Sequence, residues 1–328
     1  MHKELIEDIG EKELIKRLAE FMPKKQISDD CAFIKTSNKE LLINTDSLVE
    51  NIHFNNETIC ALDIGWKAVA SNVSDLISSG CDSIIGVNIA LVVPPKTDWI
   101  WIKDLYKGIS QALEYFGGCI LGGDCSAGKE KVISITAIGT QGEIKLRRNS
   151  CKPKEIIMTT GLHGLSKLGL MIKSQKSFDK NICLTKTLID KSIKQFSKPK
   201  LNPNFLKKVL KTRPNKSIKR IGCTDSSDGL FQALLDLSIE SCCKAIIDYT
   251  KIPKHKNWPL GDEWDKYYFF GGEDYELVFS LPKKWAKNLT NLDNTISEIG
   301  YFTEGSPCVE FKNLKNDKFL KFKSFDHF

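Results

Sequence analysis

The sequence predicts a mixed α/β (α+β) protein of two domains, each built in two layers. Two observations predict it. At 328 residues the chain is long enough for two ordinary domains, each with a full core. Apolar strand-like runs alternate with helical spacing in both halves. Charge divides the chain as well. Residues 1–150 carry 17 Lys and Arg against 21 Asp and Glu, a net of −4, whereas 151–328 carry 31 against 20, a net of +11. The boundary is placed after Arg148, giving a domain over 1–148 and a second over 149–328.

Glu11 to Phe21 has helical spacing through Leu14, Ile15 and Leu18, and Pro23 closes it. Asp29-Asp30 then opens a short strand, Cys31 to Ile34. Next comes Leu41-Leu42-Ile43, an apolar run stopping abruptly in Asn44-Thr45-Asp46, with His53 seven residues on. This device recurs in Cys119-Ile120-Leu121-Gly122-Gly123-Asp124 and in Ile221-Gly222-Cys223-Thr224-Asp225. Each reads as a buried strand delivering a carboxylate at its end. A single such aspartate is as well explained by a turn, where Asp is favoured. Three of one pattern point to a shared cation, because gathered carboxylates repel one another unless a metal lies between them.

Asp63 to Ser79 predicts a helix whose apolar face is Leu62, Trp66, Val69, Val73 and Leu76, with Gly80 as its stop. Beside that face runs a stripe of small polar residues, Ser71, Asn72, Asp75, Ser78 and Ser79. Taken alone, the stripe reads as a helix edge meeting solvent. Ser83 to Val93 is a strand closed by Pro94-Pro95, and Trp99 to Phe116 a second helix. Gly123 to Lys129 fits the first seven places of a phosphate-binding P-loop. Glu130 stands where that motif needs Ser or Thr, and a strand over Lys131–Gly139 follows where it needs a helix, so the P-loop is rejected.

Lys145 to Asn149 marks the junction, and an arginine at such a seam is well made for bidentate phosphate contact. The second half opens with a strand over Glu155–Thr160 and a helix through Ile172. Two Lys-rich helical segments follow, separated by Pro199 and Pro203, and read as solvated faces without interleaved aromatics. Asp228, before a helix over Leu230–Ile239, fits either an N-cap or a metal ligand. Gly271-Gly272-Glu273-Asp274-Tyr275-Glu276 is an acidic glycine turn feeding a strand.

Composition excludes several classes. No apolar run approaches the ~20 residues needed to span a bilayer. The charged, helical N-terminus does not read as a signal peptide. Eleven cysteines without a CxxC pair point to reduced thiols in a cytoplasm rather than disulfides or zinc. The diffuse lysines argue against nucleic acid.

Taken in order, Gly10-Glu11, Asp29-Asp30, Thr45-Asp46-Ser47-Leu48-Val49-Glu50 with His53-Phe54, Gly65-Trp66-Lys67-Ala68, Ser74-Asp75-Leu76, Gly122-Gly123-Asp124, Ser227-Asp228-Gly229-Leu230, Gly271 to Leu277 and terminal Asp326-His327-Phe328 resemble the thiamine-monophosphate kinases, within the aminoimidazole-ribonucleotide-synthetase-like superfamily. Each motif is weak alone, and nine in sequence are specific. The resemblance implies an N-terminal α/β domain pairing with its copy in a homodimer through an intersubunit β-barrel, and a second domain closing over the nucleotide. It implies Asp30, Thr45, Asp46, Asp75, Asp124, Asp225 and Asp228 as ligands of several Mg2+ ions. Gly123, Asp124, Arg148 and Ser227 are then ATP contacts, and His53, Glu273 and Phe325 contacts to thiamine monophosphate. The sequence departs from the family at Ser28, Asn44 and Lys154-Glu155. It departs also at Cys125-Ser126-Ala127, where Thr-Thr-Arg is usual and a charge near the nucleotide is lost. The rival readings are another ATP-using member of the superfamily and a non-catalytic nucleotide-binding subunit.

Overall fold

The computed structural model describes residues 32–35, 39–175 and 183–314. The expected helix over Glu11–Phe21, the pair Asp29-Asp30 and the terminal residues from Phe325 to Phe328 lie outside the described residues. Two sheets carry the rest. Strands β1 (Ala32–Lys35), β2 (Glu40–Val49), β3 (Cys81–Val93), β4 (Cys119–Ala127) and β5 (Val132–Gln141) form one sheet in the order β1-β2-β5-β3-β4. Neighbours are antiparallel except β3 and β4.

Strand alternation decides which residues of this sheet are interior. On β2, Leu42, Asn44 and Leu48 are buried, while Thr45 and Ser47 are exposed. β5 continues the pattern, burying Ile133, Ile135 and Ala137. Two helices cover that face, α1 (Ala61–Ser78) and α2 (Trp99–Phe116). They cross where each carries a glycine. A Cβ on Gly65 would lie 2.0 Å from the Leu105 carbonyl oxygen, and one on Gly108 1.8 Å from that of Leu62.

The second sheet comprises β6 (Lys145–Arg147), β7 (Ile156–Thr160), β8 (Arg220–Asp225), β9 (Lys244–Asp248), β10 (Leu277–Leu281), β11 (Ile296–Thr303) and β12 (Cys308–Lys312), in the order β12-β9-β11-β7-β10-β8-β6. β6 precedes Arg148 in the chain yet pairs with β8. All five residues of β10 are buried, so its sequence, Leu277-Val278-Phe279-Ser280-Leu281, does not alternate apolar with exposed polar residues. Phe279 and Leu277 face a core shared with α1 and α2. Val278 faces a second core, with Leu234 of α6 (Leu230–Glu240) and Phe269 of α7 (Asp262–Phe270). The remaining helices are α3 (Leu165–Lys173), α4 (Lys186–Ser197), α5 (Phe205–Thr212) and α8 (Lys283–Leu292). Lys191, Lys194, Lys207 and Lys211 on α4 and α5 are exposed, as expected of a solvated face.

α1 is the wall between the two sheets, and this corrects one expectation. Fifteen of its eighteen residues are buried, and of the stripe Ser71, Asn72, Ser78 and Ser79 are buried and Asp75 half-buried, so the stripe is interior rather than a solvated edge. Its far side is bound by the second sheet and the chain that follows it. The Trp66 indole N–H donates to the Pro199 carbonyl at 2.8 Å, and Arg147 donates to the Ser79 carbonyl at 3.0 Å.

A second correction concerns the strand-to-aspartate units. Only Asp225 ends its strand in a buried position. Asp46 lies within β2, and Asp124 lies within β4, every residue of which is exposed. β4 is the edge of its sheet, and no described element covers its outer side, so an apolar run there is not a buried one. Gly123–Ala127 are part of β4 and the next element is β5, not a helix, as the rejection of a P-loop requires.

Candidate active site

Where α1, β2 and the loop before β10 meet, they enclose a cavity of about 280 Å³. Its wall includes Asp46 and His53 from the first half of the chain and Ser227, Asp228 and Glu273 from the second. Five residues singled out in the sequence are thus brought to one space. Leu48, Ile52 and Leu170 supply an apolar side.

Asp46 reaches the cavity because it shares the inward face of β2 with Asn44 and Leu48. The Asp46 backbone N–H donates to Asn72 Oδ1 at 3.2 Å. Asn44 donates from Nδ2 to Asp75 Oδ2 at 2.7 Å and to Asn72 Oδ1 at 3.1 Å, which fixes its amide orientation. Asn44 Oδ1 is then buried with no hydrogen-bond partner among the described residues. Asp225 accepts from Ser74 Oγ at 2.5 Å and from Ser227 Oγ at 3.1 Å. The buried phenol of Tyr275 is held neutral well above its usual range, first by burial and then by the negative field of Glu273, Asp46, Asp225 and Asp75. Four carboxylates from four separate elements therefore act on one tyrosine.

Other expected residues are placed apart. Thr45 lies on the opposite face of β2, where its hydroxyl meets that of Thr136 at 2.8 Å; adjacent strand residues cannot share a face. Asp124, on the edge strand, accepts from Ser126 Oγ at 3.1 Å and does not line the cavity. Gly123 is required by strand pairing, since a Cβ there would lie 1.9 Å from the Ile89 carbonyl oxygen. Arg148 donates from Nε to Thr224 Oγ1 at 3.1 Å, next to Asp225, whereas Arg147 is buried and structural. Asp228 does not cap α6, whose N-cap is Gly229, and it lines the cavity instead. Asp30 and Phe325 lie outside the described residues. Among the described residues, no three His, Cys, Asp or Glu side chains converge closely enough to hold a metal ion.

The loop 271–276 is built by buried acids. Asp274 accepts from the backbone N–H groups of Gly164 at 2.5 Å and Ser166 at 2.8 Å, capping α3 from a distance because Gly164 has no side chain to do so. Burial pushes its carboxyl up to about 8 against these donors. Glu276 takes the Thr160 hydroxyl at 2.5 Å, and burial pushes it up to about 7 from 4.5. A carboxyl whose folded pKa is raised binds more protons folded than unfolded. Its contribution is full below pH 4.5 and is lost as pH rises through about 7. Thermal stability will therefore fall across that window, and Glu276→Gln, neutral throughout, will flatten the fall. Melting curves from pH 4.5 to 8 check this; a variant curve parallel to that of the natural protein would refute it.

Residues 28–141 match the family model described as AIR synthase related protein, N-terminal domain. A thiamine-monophosphate kinase of Prochlorococcus marinus is 41% identical over 326 residues, covering 99% of this chain and 98% of that protein. That of Synechococcus elongatus is 31% identical, covering 98% of each. The chain belongs to the thiamine-monophosphate kinase family. In the family's solved structures the fold recurs. AaThiL complexed with AMPPCP and TMP superposes with a TM-score of 0.84 at 25% identity, covering all of both chains. The mixed α/β architecture expected from the family resemblance is the one observed.

Sequence reasoning missed Tyr275 and Lys67 as part of this site. Tyr275 lies inside the Gly271–Leu277 motif, but its place in the cavity wall depends on a left-handed backbone turn at φ 53°. Lys67 left a clearer signal. A lysine flanked by Trp66, Ala68 and Val69 on a buried helix needs a carboxylate partner.

Proposed function

We propose that the chain transfers the γ-phosphoryl group of ATP to thiamine monophosphate, yielding thiamine diphosphate and ADP in a Mg2+-dependent reaction. The observation that carries this is the single cavity joining Asp46, His53, Ser227, Asp228 and Glu273. The donor set suits Mg2+: it is all oxygen, from carboxylates of Asp46, Asp75 and Asp225, with the orphaned Asn44 Oδ1 beside them. Mg2+ seldom occupies an all-protein cage and shares its ligands with substrate phosphates and water. Asp46, Asp75, Asp225 and Asp228 would hold it, with Asp30, Asp124 and the Thr45 backbone as further candidates. When bound, it would neutralise charge between two phosphate groups that otherwise repel.

The protein's own residues then position. His53 Nδ1 accepts the Val49 backbone N–H at 3.0 Å, so a neutral ring carries its proton on Nε2, fitted to donate to a phosphate oxygen. Glu273, beside the apolar Leu48, Ile52 and Leu170, suits a cationic heterocycle. Arg148 and Ser227, flanking Asp225, are proposed for the nucleotide, together with Gly123 and Asp124. The exposed edge strand β4, with Ile120 and Leu121 uncovered at 37% and 46%, supports a homodimer closing a barrel over the open side of the first sheet. No helix among the described residues is long and apolar enough to cross a membrane, and the proposed setting is the cytoplasm. ADP release with thiamine monophosphate, ATP and Mg2+ tests the activity, and light scattering tests the dimer. Nucleotide binding without ADP release would favour the non-catalytic reading.

A further inference from the structure

Lys67 is buried to 1% exposure in the middle of α1, and its ammonium meets Glu273 Oε2 at 2.7 Å. The same ammonium lies 4.5 Å over the ring of Phe196 on α4. One cation thus joins three elements: the helix packed on the first sheet, a helix of the second half, and the loop bearing Glu273. Its stem has little freedom. Next to it Trp66 is fixed to the Pro199 carbonyl, and Asp63, one turn earlier, pairs with Lys198 at 3.3 Å.

Glu273 is set with equal care. Its backbone is left-handed at φ 67°, and its N–H donates to the Ser227 carbonyl at 2.7 Å. Gly272 passes so close that a Cβ there would lie 2.3 Å from the same Ser227 oxygen. The Glu273 side chain remains 30% exposed, while Lys67 has no exposure to speak of. The pair therefore has one sealed member and one member facing the cavity.

A buried ammonium is costly unless paired, so Lys67 and Glu273 stay together and the contact holds the Glu273 side chain in one orientation. Glu273 faces the cavity next to apolar residues. There a carboxylate attracts a cationic or amino-bearing ring and repels a polyphosphate. We infer that Lys67 is a positioning residue for the acceptor: by fixing Glu273 it sets the affinity for thiamine monophosphate and leaves that for ATP unaffected. This rests on the functional reading above.

The test uses the full chain and four proteins: the natural one, Lys67→Met, Glu273→Gln and the double variant. KM for each substrate, kcat and melting temperature are measured. Lys67→Met is expected to raise KM for thiamine monophosphate ~10–100-fold, as loss of an orienting partner does, with KM for ATP within about twofold. The double variant is expected to be no worse than the poorer single variant, because both changes remove one contact. Its melting temperature will recover relative to Lys67→Met, since no charge is left unpaired, whereas KM will not recover. KM for both substrates and melting temperature moving and recovering together would mark a merely structural pair and overturn the inference. Should Lys67→Met fail to fold, Glu273→Asp keeps both charges but shortens the reach, and it must show the same selective rise in KM. An unchanged KM there would overturn the inference equally. Absence of turnover in the natural protein would sink the functional reading and this inference with it. Turnover with unchanged KM in Lys67→Met would sink the role of Lys67 alone.

Discussion

Asp46→Asn will abolish phosphoryl transfer and leave the fold standing. The side chain points into the cavity from the inward face of β2, within the field that also includes Asp75, Asp225 and Glu273. An amide is a poorer ligand for a hard cation, so the charge between the two phosphates would go unneutralised. Removing one preorganised electrostatic partner of a transition state costs ~10²–10³-fold in kcat, and a shared metal makes the upper end the expected one. Stability should move the other way. In the metal-free protein the substitution relieves repulsion among carboxylates, and the amide keeps the shape. The melting temperature without Mg2+ should equal or exceed that of the natural protein. The stabilisation on adding Mg2+ should shrink. Full activity at limiting Mg2+ would remove Asp46 from the site.

How far these conclusions could be read from the chain depends on where each residue's partner lies. The elements were legible wherever their signal was local. The helix over Trp99–Phe116 has an Asp98 cap and a Gly117 stop, and it is observed with those bounds. Asp225 was legible because a buried strand ends there. What was not legible depended on distant chain. The small polar stripe of α1 has the pattern of a solvated edge, and only residues distant in the chain, from β2 at 26–31 positions to β8 at 151, make it interior. Asp225, for example, takes the Ser74 hydroxyl. The run Cys119-Ile120-Leu121 has the pattern of a buried strand, but sheet order puts it at an edge. Thr45 could have been separated from Asp46 by strand alternation alone, since neighbours on a strand face opposite sides. Lys67 could have been flagged by its charge, though not matched with Glu273, 206 positions away.

The acceptor will prove to be a phosphate, and the transfer direct. The cavity wall offers carboxylates, a serine whose hydroxyl is engaged by Asp225, and a histidine whose Nδ1 accepts a backbone N–H. The Ser227 hydroxyl is engaged by Asp225, whose carboxylate also takes the Ser74 hydroxyl, and His53 is oriented to donate. An alcohol, whose pKa lies far above neutrality, calls for a general base, and the aspartates that could serve as one are those proposed to hold Mg2+. A phosphate monoester needs no base: with a second pKa near ~6 it is already an anionic nucleophile at pH 7. The remaining task is to bring two anions together, which the proposed Mg2+ among these carboxylates, with Arg148 nearby, would do. Unphosphorylated thiamine will therefore give no product, and thiamine monophosphate will give the diphosphate plus ADP only with Mg2+. A chiral γ-thiophosphate on ATP should arrive inverted, because one in-line displacement inverts and two through a phospho-enzyme restore. Phosphorylation of free thiamine, or net retention at phosphorus, would refute this mechanism and leave only the family membership standing.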